Sequence, residues 1–395
     1  GVLALLWMHP RHKQIEHFFS LVCCGVMYAL IAGIGSPFLL GAVGAIGAAF
    51  GLNILTYFCG AAVLTFAVKF LLQGTTGLEG LFEFFMGLSA GMALLLFLAA
   101  MIPDFLRCYL DLKVLALLKR GSTNLRLPRP WIWKRCPQQF ANFTPRVQVG
   151  LRLLFTLLPA FYLASIAASS YFTVENSAAQ LILAASCTGL TYFHHALSRA
   201  DLNHIHQVMQ PAIIALAGGT VALLSGHLAV ATPLLTIMAS LALLWNSPEF
   251  AQIRRSPSAP YTPLTMRNDH FLIPNGQFAK LNAQQSLVER YTQTEDPIFT
   301  APSSAALLAL FHRRSAVYDT FPVYPVKPAA QHRMLEELHS SQPPLAFISK
   351  GMVDQREDLQ FEKNYPLVFR FFTEQYHLLE ESSSGYVFVR QKPQS

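Results

Sequence analysis

The chain has 395 residues, 53% of them hydrophobic and only 13% charged, with a net charge of +7. Average water-soluble domains carry about 25% charged residues, so composition excludes an ordinary soluble globular protein over the whole length. Residues 1–246 hold 14 Lys/Arg and 7 Asp/Glu, and residues 247–395 hold 15 and 15, so a membrane-like part precedes a neutral, water-soluble one. Nucleic-acid binding is excluded as well, because the neutral part has no basic stripe to meet a phosphate backbone.

The first ten residues, GVLALLWMHP, are apolar from the start and lack the basic region and cleavage site of a signal peptide. They read as the tail of a cut helix, so a C-terminal fragment of a longer protein is expected. A membrane span needs roughly 20 apolar residues. Residues 17–34, 53–72, 80–102, 150–172, 178–197, 210–226 and 228–246 meet or approach that length. Residues 36–51, SPFLLGAVGAIGAAFG, are short and glycine-rich. There Gly41, Gly44, Gly47 and Gly51 let helices approach closely, and a span and a re-entrant segment are both open. Seven or eight spans follow, the last two turning at LSGH, residues 224–227. Glu79 and Glu83 sit at a span boundary as solvated ends, and Lys69, near its span end, can snorkel.

The loop 103–150 carries nine Lys/Arg against Asp104 and Asp111. Three readings stand for it. It binds anionic headgroups, it holds a lipid phosphate, or it marks the cytoplasmic side. Trp131 and Trp133, set among prolines, place it in the interface. Cys108 and Cys136 lie in this loop and could be joined in an oxidising compartment. Cys23, Cys24, Cys59 and Cys187 read as buried apolar residues.

The stretch SRADLNHIHQ, residues 198–207, follows the span 178–197. If that helix continues, His194, Asp201 and His204 share one face, and His195, Arg199 and His206 another. Three chemistries fit. The polar groups meet water and headgroups at a helix end. Alternatively Arg199, Asp201, His204 and His194 contact a phosphate, for which a guanidinium is the matched geometry. Or a His–Asp–His face holds a divalent metal, an assignment that two histidines without tight ligand spacing support poorly. No other metal or cofactor is implied. Serine-nucleophile and phosphate-loop motifs are absent.

Beyond Trp245, SPEFAQIRRSPSAPYTP is rich in proline and serine, and residues 247–283 read as a linker. A helix is expected over 279–293, a short buried strand at DPIFTAP (296–302), and a serine-capped helix at SSAALLALFHRR (303–314). QHRMLEELHSSQPPLAFIS reads as helix then strand, the prolines ending the helix. YPLVFRFFTEQYHLLEE reads as an amphipathic helix running into an edge, and SSSGYVFVRQK as a turn and a last strand. Residues 284–395 are therefore a small α/β domain. The fold class expected is an α-helical polytopic membrane bundle of seven or eight transmembrane helices, followed by that soluble domain.

Residues 284–395 resemble the C-terminal soluble domain of bacterial polytopic glycosyltransferases of the GT-C superfamily, similar to the protein O-mannosyltransferase group. The segments that carry the resemblance are DPIFTAPSSAALLALFHRR, LEELHSSQPPLAFIS and YHLLEESSSGYVFVRQ. YLDLKVLALLKRGSTNLRLPRPWIW resembles a segment between spans in those proteins, and SRADLNHIHQVMQPAII their R.D..H element. The resemblance implies transfer of a sugar from a polyprenyl-phosphate carrier, with membrane lipid and the lipid-linked sugar as partners. It implies the bacterial inner membrane, with the C-terminal domain exoplasmic. The family's acidic catalytic residue maps to no position here, so the catalytic residue is unknown from the sequence. By parity of spans the basic loop, the R.D..H element and the soluble domain lie on one side. Charge bias makes that side cytoplasmic, and the resemblance makes it exoplasmic. Two other functions compete: a non-catalytic membrane scaffold that presents the soluble domain to a partner, and a transporter. Ionisable residues gathered at span ends, not at mid-span, count against the transporter.

Overall fold

A computed structural model of the chain describes residues 14–103, 127–129, 137, 140, 144–171, 176–200, 204–205, 208–223, 261–266, 269–323, 325–351 and 356–390. The chain divides into two compact units, one formed by the described residues up to 223 and the other by those from 261 onward.

The first unit is helical. Its elements are α1 (Gln14–Ala32), α2 (Pro37–Phe50), α3 (Leu52–Gln73), α4 (Leu81–Ala100), α5 (Pro145–Tyr171), α6 (Ser177–Ser198) and α7 (Met209–Leu223). Each apolar run between 17 and 223 thus forms a helix over its described residues. The run 228–246, the LSGH turn, the loop cysteines and both loop tryptophans lie outside the described residues. Two stretches are long and apolar enough to cross a membrane, Asn53–Leu78 and Gln148–Ser170. Four more are apolar but shorter: Phe18–Ala32, Pro37–Ala48, Leu81–Phe97 and Met209–Gly219. At 1.5 Å per residue, the 14 residues of α2 reach roughly 21 Å, less than a bilayer's hydrocarbon core of about 30 Å.

Helix α6 is the hub, packed on α1, α3, α5 and α7. Asn176 caps it, accepting from the Ala178 and Ala179 amides at 2.9 and 3.4 Å. That cap satisfies two donors that a helix start leaves open. Its middle is enclosed on all sides and made of small residues, with Ala184, Ala185, Ser186, Cys187 and Thr188, more than a full turn, all fully buried. Around it runs one apolar core that includes Met27, Phe58, Phe84, Tyr162 and Phe193. Helices α2 and α4 meet backbone to backbone. A β-carbon at Gly41 would overlap the Phe84 carbonyl, one at Gly87 the Phe38 carbonyl, and one at Gly44 the Phe58 ring. Lys69 does not snorkel outward. Its Nζ donates to the Leu30 carbonyl of α1 at 3.0 Å. Glu79 and Glu83 are exposed, as solvated ends. The outer surface is apolar: Leu71 is 80% exposed, Phe82 76% and Phe97 65%.

The second unit is α/β. It contains β1 (Tyr261–Met266), β2 (Asp269–Pro274), α8 (Asn275–Tyr291), β3 (Ile298–Ala301), α9 (Ala306–Leu310), α10 (Pro328–Ser341), β4 (Leu345–Ser349), α11 (Phe361–Asn364), α12 (Pro366–Gln375), β5 (Tyr376–Ser382) and β6 (Gly385–Arg390). Strands β1 and β2 form an antiparallel pair. That pair and the start of α8 occupy 261–283, where proline and serine content predicts a linker. Leu264, Phe278 and Leu281 tie this segment into a core, so packing overrides the compositional signal.

The other four strands form a sheet in the order β3-β4-β6-β5, parallel between β3 and β4 and antiparallel elsewhere. Side chains alternate across a sheet. One face presents Phe299, Ala301, Ala346, Ile348 and Phe388 to Leu338, Phe361, Val368 and Phe372 on α10 to α12. The opposite face presents Ile298, Leu345, Phe347, Val387 and Val389 to Leu264, Leu287, Val288 and Phe311. Hence β3 and β4 are continuous apolar runs, buried on both sides. The expected serine-capped helix at 303–314 is only Ala306–Leu310, and no side chain caps it. The amphipathic helix expected from Tyr365 stops at Gln375, where Tyr376 folds back on Phe371 and Phe372 with ring centroids at 5.6 and 5.0 Å. A bulge between Leu378 and Glu380 interrupts the pairing of β5 with β6.

Candidate functional site

The polar groups of the helical unit collect at the C-terminal end of α6. The helix stops at Ser198, whose hydroxyl donates to the His195 carbonyl at 2.8 Å. Arg199 is extended, at φ −148° and ψ 96°. The expectation that the helix continues through SRADLNHIHQ therefore fails, and with it the shared face of His194, Asp201 and His204. A serine bonded back to its own last turn competes with helix propagation. The chain then returns, and His204 and Ile205 form a short helical turn buried in the core.

That return brings His204 against His195. Their ring centroids stand 4.7 Å apart, and both rings are buried, at 6% and 7% exposure. From α3, Tyr57 reaches the same place, its hydroxyl 3.4 Å from His195 Nδ1. Tyr192 packs on Tyr57 at 5.0 Å between centroids. His194 is exposed at the helix end, with its ring 6.0 Å from that of Tyr57. Arg199 is half-buried beside this group in the chain, and Gln210 is buried at the start of α7. Tyr162, wholly enclosed on α5, donates to the Val208 carbonyl at 2.9 Å and pins the returning segment.

Of the four residues named from the sequence, His204 and Arg199 lie at this helix end, His194 sits on its exposed side, and Asp201 lies outside the described residues, as does His206. The sequence pattern misses His195 as the partner of His204, and Tyr57 as the partner of His195. His195 was assigned to the wrong face by the helical extrapolation. Tyr57 is 138 residues away along the chain from His195, and only tertiary packing brings them together. Among the described residues, no group of three His, Cys, Asp or Glu is placed to hold a metal ion.

Chemically the cluster offers imidazole nitrogens and a phenol buried within an apolar bundle, with a half-buried guanidinium beside them in the chain. Such groups donate hydrogen bonds to an anion in surroundings that otherwise offer none. Comparison with protein-family models and with curated proteins finds no match.

Proposed function

We propose that the protein is a polytopic membrane glycosyltransferase of GT-C type that uses a polyprenyl-phosphate-linked sugar. In this reading the end of α6 receives the carrier's phosphate. Arg199 pairs with the phosphate, and His204 and His195 supply further donors, with Tyr57 fixing the His195 ring. His194, and Asp201 by its place in the sequence, are assigned as further contacts. The longer of the remaining helices, α1, α4 and α6, span with α3 and α5. The protein lies in the inner membrane with the α/β unit on the exoplasmic side, where lipid-linked sugars are consumed. The carboxylate that activates the acceptor hydroxyl is assigned to no residue of this chain.

The single observation that carries this reading is the His195–His204 pair, two buried imidazoles in van der Waals contact with a tyrosine hydroxyl on one of them. Imidazole and phenol groups held together beside Arg199 in the chain are of the donor type that a phosphate uses. The test is photolabelling of the full chain in lipid nanodiscs with a photoreactive polyprenyl phosphate. Labelling should exceed that by the matching neutral polyprenol, and Arg199→Gln should reduce it about tenfold, the loss of one charge-assisted contact. Equal labelling by the phosphate and the alcohol would remove the phosphate site and the proposal with it.

A further inference from the structure

The α/β unit contains a cleft of about 170 Å³ between α8 and one end of the four-stranded sheet. It arises from a mismatch between two faces. Along α8 the residues lining it are Lys280, Ala283, Gln284 and Leu287, spaced i, i+3, i+4 and i+7, which is one helical stripe. A helix laid on a sheet normally presents an apolar stripe. Here only Leu287 is large and apolar, and Lys280 and Gln284 are polar. On the sheet side, Ser349, Gly385 and Ser382 stand opposite one another in register across β4, β6 and β5. This row of small residues leaves the gap open. Gly385 cannot be larger, since its φ is +152° and a β-carbon would overlap the Ile348 carbonyl.

The lining is hydroxyl-rich. Ser304 and Ser384 join Ser349 and Ser382, and Glu380 sets one negative charge against that of Lys280. On the same sheet face Thr300, paired with Phe347 of the lining, is buried, and its Oγ1 has no hydrogen-bond partner among the described residues. The Tyr386 ring offers the cleft no platform, because it lies on the opposite face of the sheet, packed against Phe369 and Phe388. Flat aromatic ligands are therefore poorly served. Drug-sized pockets run to about 300–1,000 Å³, so the cleft takes something smaller.

We infer that this cleft binds a neutral, polyhydroxylated ring of single-sugar size. Each ligand hydroxyl both donates and accepts, as serine hydroxyls, a carboxamide and a carboxylate require of a partner. The balance of Lys280 against Glu380 gives no net preference for an anion. The inference goes beyond the transferase reading and rests on the cleft alone. Loss of phosphate labelling at Arg199 would leave it untouched.

The experiment is saturation-transfer NMR on the full chain in phosphatidylcholine nanodiscs, which carry no sugar headgroup. The probes are methyl α-glucopyranoside and methyl α-mannopyranoside, with methyl phosphate, whose methyl protons report on the phosphate group, and glycine alongside. Transfer to at least one glycoside is expected. It should vanish in Ala283→Phe, which fills the gap, and weaken about tenfold in Gln284→Leu, which removes a donor and an acceptor while keeping the shape. Thermal unfolding reports whether each variant is folded, and should Ala283→Phe unfold, Gln284→Leu decides alone. No transfer to either glycoside, transfer only to phosphate or glycine, or glycoside transfer unchanged in the folded variants would each overturn the inference.

Discussion

Tyr162 shows how much one hydroxyl can organise. It is fully enclosed, it donates to Val208 across 46 residues of sequence, and its ring occupies the space that Gly189 leaves free on α6. Tyr162→Phe removes this hydrogen bond from an apolar core, at a cost of roughly 0.5–1.5 kcal/mol. Thermal unfolding in nanodiscs should show a lower midpoint with an unchanged helical signal. In the sequence Tyr162 reads only as a tolerated polar residue inside an apolar run, because its partner is fixed by packing and not by spacing. The same limit hid Tyr57 from the histidine cluster, whereas Arg199 and His204 stood out as ionisable residues beside an apolar stretch. In the α/β unit, burial pushes the Tyr376 phenol up from about 10 to about 12, opposed only weakly by Arg390. Its proton is held more tightly in the folded state, so the stabilisation is complete below about pH 10 and is lost as the pH rises toward 12. In that window stability should fall by up to about 1.4 kcal/mol per pH unit. Chemical unfolding between pH 9 and 12 measures the slope, and Tyr376→Phe should flatten it.

At the level of elements, α2 and α4 are held by glycines that no side chain can replace. Gly87→Val would drive methyl groups into the Phe38 carbonyl, with destabilisation of about 3 kcal/mol or more. Val63→Ala, at a half-exposed position of α3, should change stability little and serves as the control in the same unfolding assay. This close approach was legible, since glycines at Gly41 and Gly44 recur on one helical face. The end of α6 was not. Nothing in the composition of SRADLNHIHQ forbids a helix, and the stop comes from Ser198 bonding back to His195 and from the enclosure of His204 and Ile205. Helix-to-strand conversion at Tyr376 is of the same kind: the helix was visible in its amphipathic pattern, but its end is set by aromatic contacts to Phe371 and Phe372.

For the molecule as a whole, the division between an apolar helical part and a charge-balanced α/β part was readable from composition. Membrane spans are lipophilic by residue count, whereas the hairpin β1–β2 owes its order to a few contacts from Leu264 and Ile273, which composition does not register. The exposed belt of Leu71, Phe82, Phe97 and Met101 on the helical unit predicts that the full chain stays with membranes after alkaline carbonate washing. Recovery in the wash would show that this belt is not held in lipid.

The irregularity in β5 has a consequence for how copies of this protein coexist. Strands at the margins of a sheet tend to recruit strands from neighbouring chains. Here one margin, β3, is already engaged by the segment at Arg314 to Ala316 through Ile298. The other margin is dislocated between Leu378 and Glu380 and carries Glu380 and Glu381 outward. Both margins of this sheet are thereby poor templates for fibrous self-association, so the unit can be crowded without polymerising.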